Sequence, residues 1–253
     1  MKSPIFLVST GRTGTKYFSR FFSTYGIDVA SYHTTKFTRT LNILGNMYSR
    51  NLLSKGTMKT LWKVLKFHDI HKHSLRYIEC NPYYYNLINI IADFFPNAKF
   101  VFIIRDPKSF IISHIKWEKQ RWQSTVANSL VPFWQPTSYL DQVRGLRNNY
   151  YQRVDFYGKI WAKKNSSIIK AIKGKENTFF LRFEQVFHPD TGFEVMSRLV
   201  GWLDVALRKP ISRDMLSTKI NKTKGDKAYL WDNTCNRIMN RHCLPLLNQI
   251  KYL

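Results

Sequence analysis

The sequence predicts an α/β domain with a parallel sheet flanked by helices, and three observations carry that expectation. Short apolar runs recur at residues 4–9, 27–32, 77–80, 100–104 and 178–183. Helical stretches lie between them, the alternation that parallel strands with crossover connections require. Residues 100–104 have no polar interruption, as expected of a central strand covered on both faces.

The elements follow in order. The first run leads into Ser9-Thr10-Gly11-Arg12-Thr13-Gly14-Thr15-Lys16, and Tyr17, Phe18, Phe21, Phe22 and Tyr25 then form one apolar helical stripe. After the strand at 100–104, Asp106 is placed as an N-cap and Pro107 as the first helical residue. Val154, Tyr157, Trp161, Ile168 and Ile172 mark a later helix, and another closes the chain over about 234–250. Two stretches show no clear period: 33–75, rich in Lys and Arg against the single Asp69, and 117–150, with Trp122 and Trp134. Irregular segments of that length commonly cover a site, so both are read as acceptor-site insertions in a single domain spanning 1–253.

Composition narrows the function classes. Forty Lys+Arg against sixteen Asp+Glu give a net charge of +24, a field that draws phosphate, sulfate, nucleic acid or an anionic membrane. No long block of like charges occurs, so the charge names a sign rather than a partner. Cys80, Cys235 and Cys243 form no C-x-x-C pair and are odd in number, which argues against a disulfide framework or a zinc site. His68, His71 and His73 have only Asp69 beside them and read as a solvated basic loop rather than a metal site. No stretch approaches the roughly 20 apolar residues of a membrane span. The expectation is a cytoplasmic protein whose basic face leaves contact with the inner face of a membrane open.

Two motifs carry chemistry. A strand, a glycine-bearing turn and a helix N-terminus make an anion site, because successive N–H groups and the helix dipole point at one spot. The nucleotide signature G-x-x-x-x-G-K-[ST] is not met: Ser9 replaces its first glycine, Lys16 does not directly follow Gly14, and Tyr17 replaces the hydroxyl that would hold magnesium. A ligand-free turn stays open as an alternative. In the second motif, "RDPKSFIIS", Arg105 stands at a strand's carboxyl end and Ser113 eight residues on, where a guanidinium and a hydroxyl can take a second phosphate. Arg105-Asp106-Pro107 as a mere helix cap is the alternative there.

"STGRTGTKY", "RDPKSFIIS" and "LRFEQV" together resemble the sulfotransferases that use 3′-phosphoadenosine 5′-phosphosulfate (PAPS), whose domain is P-loop nucleotide-hydrolase-like. "IECNPYYYN" and "YGKIWAKKN" extend the likeness. The resemblance implies PAPS as co-substrate and no metal. Arg12 then contacts the transferring sulfonate, Thr13, Gly14, Thr15 and Lys16 hold the 5′-phosphosulfate, and Arg105 with Ser113 holds the 3′-phosphate. Tyr17 and Phe183 flank the adenine, although Phe183 lacks the tyrosine hydroxyl of many members. "NKTKGD" resembles, less closely, a late basic loop over the 3′-phosphate, with Lys222 and Lys224 as candidates.

The proton acceptor stays open between His33, at the end of the second strand, and Glu79, at the end of "RYIE". The excess positive charge points to an anionic saccharide or glycolipid as acceptor, not to a specific nucleic acid. The rivals are a P-loop small-molecule kinase, which the missing lysine–hydroxyl pair disfavours, and a non-catalytic polyanion- or nucleic-acid-binding protein.

Overall fold

The computed structural model describes residues 2–120, 126, 129–144, 149–217 and 231–250. Five parallel strands, β1 (Ile5–Ser9), β2 (Val29–Tyr32), β3 (Arg76–Asn81), β4 (Lys99–Ile104) and β5 (Thr178–Arg182), lie in the order β2-β3-β1-β4-β5. Each coincides with one of the apolar runs to within two residues at either end. The middle of the sheet is β1; the apolar run of β4 is interior, between β1 and β5.

In chain order the helices begin with α1 (Thr15–Tyr25), α2 (Thr38–Tyr48), α3 (Lys55–Trp62), α4 (His68–His71), α5 (Ile88–Phe94) and α6 (Pro107–Gln120). They continue with α7 (Tyr139–Arg144), α8 (Tyr150–Ile172), α9 (Phe183–Val186), α10 (Gly192–Leu203), α11 (Arg213–Ser217) and α12 (Asn233–Ile250). Strand periodicity sorts them into two layers. Phe6, Val8, Phe100 and Phe102 bury against α2, α3, α5, α6, α8 and α12. The alternate residues Ile5, Leu7, Val101 and Ile103 bury against α1, α10 and α11. No helix among the described residues is long and apolar enough to cross a membrane.

Residues 33–75 differ from their reading as an irregular segment: α2, α3 and α4 occupy most of it. Two features hide them from a periodicity argument. The buried side of α2 includes Asn42 and Asn46 beside Leu41, so its inner face is partly polar. Between α3 and α4 the chain makes a π turn, Lys63–Phe67, whose wider winding shifts the phase of every later residue. Of the three histidines, His68 and His71 are exposed, His71 stacking on Phe67 at 5.3 Å between centroids, and half-buried His73 lies against Tyr32 and Tyr77.

Beyond α6, the carbonyls of Phe133 and Trp134 accept from Asn46 and Asn42. Arg50 donates to the carbonyls of Gln135 and Thr137. Residues 133–137 are thus bound to the polar side of α2 and to Arg50 just beyond its end.

Candidate active site

Where β1 ends, the backbone turns through three left-handed residues, Gly11 (φ 93°), Arg12 (φ 55°) and Gly14 (φ 74°). A Cβ on Gly14 would come within 3.1 Å of the Phe183 ring, so backbone angle and space both demand glycine there. Gly14 is also the N-cap of α1; it offers no side-chain cap, and the first turn holds no acid. The first amides of α1 and the positive end of its dipole are therefore left for an external anion. Thr10 and Thr13 are buried beside them, and neither hydroxyl has a hydrogen-bond partner among the described residues.

The second motif meets this loop directly. Asp106 caps α6, its carboxylate accepting from the Ser109 amide at 2.7 Å. Arg105 donates from Nη1 to the Arg12 carbonyl at 2.6 Å, while Arg12 Nε donates to Ser113 Oγ at 3.1 Å. Arg12 thus sits between the two residues expected to act as a pair. The Arg105 guanidinium also lies 4.6 Å from the centroid of the Phe183 ring, and its buried Nε has no partner among the described residues. The Trp161 indole fixes the other side of Arg105 by donating to its carbonyl at 2.8 Å.

The two candidates for proton acceptor differ sharply. His33 Nε2 and Thr15 Oγ1 share a hydrogen bond of 3.1 Å, which brings the imidazole to the loop. Burial, and then the nearby Lys16 cation, hold the His33 pKa below 6.5, with Glu79 opposing them. The ring is therefore neutral at pH 7, with a lone pair to use.

Glu79 is fully buried and fully engaged. Its Oε1 accepts from Thr35 Oγ1, Asn81 Nδ2 and Tyr84 OH, and its Oε2 from Tyr77 OH at 2.7 Å. Lys66, itself buried, closes an ion pair to Oε2 at 3.1 Å and also donates to Thr35.

Other expected residues land in different settings. Lys16 is exposed at the loop. Tyr17 is a core ring: it is buried, bonds the Met215 carbonyl at 3.1 Å and packs edge-on against Phe187. Its ring therefore lies in the apolar layer under α1 rather than open at the loop, unlike the setting expected of a ring beside adenine. Lys222 and Lys224 lie outside the described residues. Among the described residues no cluster of His, Cys, Asp or Glu has the makings of a metal site.

Sequence reasoning passed over Lys66, Trp117, His114 and Lys164. Arg12 lies over the Trp117 ring, 6.0 Å from its centroid. Trp117 falls one helical turn beyond Ser113, a spacing that could have marked it. Lys66 and Lys164 gave no signal, because lysines at such positions ordinarily face solvent.

A parallel sheet with a cationic glycine loop at the carboxyl end of its middle strand is the arrangement in which open α/β sheets bind their ligands. A sequence model of the sulfotransferase family matches residues 27–187, and the chain belongs to that family. The matched span contains His33, Glu79, Arg105, Ser113 and Phe183 and begins after the first loop. Among solved structures, the fold is similar to a sulfotransferase domain from the curacin biosynthetic pathway, at 17% identity and a TM-score of 0.53, covering 95% of this chain and 90% of that one. It is also similar to a sulfotransferase from Alicyclobacillus acidocaldarius, at 13% identity and a TM-score of 0.51, covering 87% of each chain. No curated protein matches the sequence.

Proposed function

We propose that the protein moves the sulfonate of PAPS to a hydroxyl, or an amine, of an anionic saccharide or glycolipid. The observation that carries this reading is the Arg105–Arg12–Ser113 chain, which joins the first loop to the start of α6 at the end of the sheet where ligands of open parallel sheets bind. A ligand with two separate anionic groups suits it: the loop amides of α1 and the unpartnered Thr13 hydroxyl suit the 5′-phosphosulfate, and Arg105 with Ser113 suits the 3′-phosphate. Phe183, held against Arg105 and Gly14, offers a ring to the adenine.

PAPS supplies an activated sulfonate on a good leaving group. This chain supplies fixed donors and a cation where charge develops on the leaving oxygen, with Arg12 in that role. His33, neutral and next to the loop, takes the proton of the attacking hydroxyl. Glu79 already accepts from four hydroxyl or amide donors and one ammonium, so we assign it to holding the turn after β2 rather than to proton transfer.

Calorimetric titration with adenosine 3′,5′-bisphosphate, ADP and a short DNA tests the reading. Metal-independent binding of the bisphosphate above the other two supports it. A preference for ADP with magnesium, or for DNA, removes it.

A further inference from the structure

Lys164 is an anomaly in a chain with so much positive charge to place elsewhere. It lies on the sheet-facing side of α8, 4% exposed, and no carboxylate among the described residues pairs with it. Its ammonium instead faces the ring of Tyr85, 4.8 Å from the centroid. That ring is fixed, because the Tyr85 hydroxyl bonds Oδ1 of both Asn42 and Asn46, at 3.0 and 2.9 Å. A buried amine without a counter-ion is costly, and a Met or Leu would fill the same volume without that cost.

His114 stands beside it. Its ring stacks on Tyr157 of α8 at 4.8 Å and packs on Phe110, and both ring nitrogens are buried with no hydrogen-bond partner among the described residues. Its Nε2 would be 3.8 Å from a Cβ built on Gly11, so it reaches the first loop, next in sequence to Ser113. The charges that act on His114 are all cationic: Lys164, Arg12 and Arg105, each of which, with burial, holds the imidazole neutral.

We propose that Lys164 and His114 form a subsite, on the α8 side of the first loop, for an oxyanion carried by the acceptor, the carboxylate or sulfate of an acidic sugar. The proposal rests on the sulfotransfer reading above and names the part of the acceptor that the protein recognises. An oxyanion there meets an ammonium and an imidazole N–H, both now without such a partner, and its charge faces Arg12 and Arg105 rather than any acid. Burial sets the Lys164 pKa at about 7, so its amine is about half neutral at pH 7 and takes up a proton when an anion enters. Tyr85 faces Lys164 and Tyr157 faces His114; burial pushes the Tyr85 hydroxyl up and the His114 imidazole down, so neither Tyr85 nor His114 carries a charge there.

The test uses the full chain saturated with adenosine 3′,5′-bisphosphate, titrated by calorimetry with a glucuronic-acid oligosaccharide and with the same oligosaccharide after reduction of its carboxylates to alcohols. At pH 6.5 the wild-type protein binds the acidic form at least about tenfold more tightly. Lys164→Met and His114→Gln each bring the ratio close to one, Lys164→Arg keeps most of it, and Lys163→Gln, which removes an exposed charge one residue away, leaves it intact. Raising the pH from 6.5 to 8.5 weakens the wild-type preference and not that of Lys164→Met. Equal binding of the two oligosaccharides by the wild type overturns the subsite, as does a preference that survives in both Lys164→Met and His114→Gln. Failure to bind the bisphosphate at all would instead remove the PAPS reading, and that step is measured first.

Discussion

Arg12 and Ser113 are 101 residues apart in sequence, yet the guanidinium Nε of one donates to the hydroxyl of the other at 3.1 Å. That contact ties the first loop to α6, and Arg105 adds a second tie through the Arg12 carbonyl. The two sequence motifs are therefore coupled.

Arg105 should discriminate between nucleotides. Arg105→Ala weakens adenosine 3′,5′-bisphosphate by at least about tenfold, the loss of one charged hydrogen bond, and leaves AMP nearly unchanged. Parallel titrations of both nucleotides read this out. An equal loss for both would mean that Arg105 only supports the loop through the Arg12 carbonyl.

Arg12 should act mainly on rate. Arg12→Ala lowers kcat by roughly 10²–10³, as for loss of a donor to a developing oxyanion, with a smaller change in PAPS affinity. Steady-state kinetics with PAPS varied at fixed acceptor separates the two. A loss confined to the PAPS KM would place Arg12 in binding alone.

His33 and Glu79 should fail in different ways. His33→Ala keeps bisphosphate binding, lowers kcat by about 10²–10⁴ and removes the acidic limb of the pH profile. In the unmutated protein that limb falls below 6.5, because burial and Lys16 depress the imidazole pKa. Glu79→Gln strands the buried Lys66 ammonium and lowers stability by about 3–5 kcal/mol, read by urea denaturation. A Glu79→Gln protein that folds with normal stability but does not turn over would transfer the proton-acceptor role to Glu79.

Lys164 should leave a signature in stability against pH. Its pKa is 10.5 in the unfolded chain and about 7 when folded, so between those values the unfolded state binds more protons and stability rises with pH. The contribution grows by about 2 kcal/mol between pH 7.5 and 9. Urea midpoints of the wild type and Lys164→Met at the two pH values should therefore differ in slope, the variant lacking that rise. Parallel slopes would show that Lys164 is solvated.

Much of the fold was legible because its inner strands β1 and β4 are almost wholly apolar and buried, and the five runs became the five strands. The cap at Asp106 was legible for a local reason, an acid before proline at a strand's end. Elements stabilised by buried polar groups were not. Asn42 and Asn46 look like surface residues in a sequence, and only the carbonyls of Phe133 and Trp134, some ninety positions away, explain their burial. The site follows the same division. Arg12, Arg105 and Ser113, which the structure brings together, could be named from the spacing of two motifs, whereas Lys66 and Lys164 take their character from burial, which single-residue identity does not reveal.

The π turn at Lys63–Phe67 bears on how the chain tolerates change in length. It holds one residue more than an α-helical path between the same ends would need, and Lys66 lies within that wide turn, directed at Glu79. Deleting any one residue of the turn would let the helix close into regular winding. The flanking segments would keep their relation, but the side chains of the turn itself would be redistributed around the axis by up to about a quarter turn. Lys66 would leave the carboxylate, and Glu79 would remain buried with an uncompensated charge. A one-residue deletion there should therefore be far more damaging than substituting exposed Val64 in the same turn, and the segment should evolve by replacement at fixed length rather than by insertion or loss.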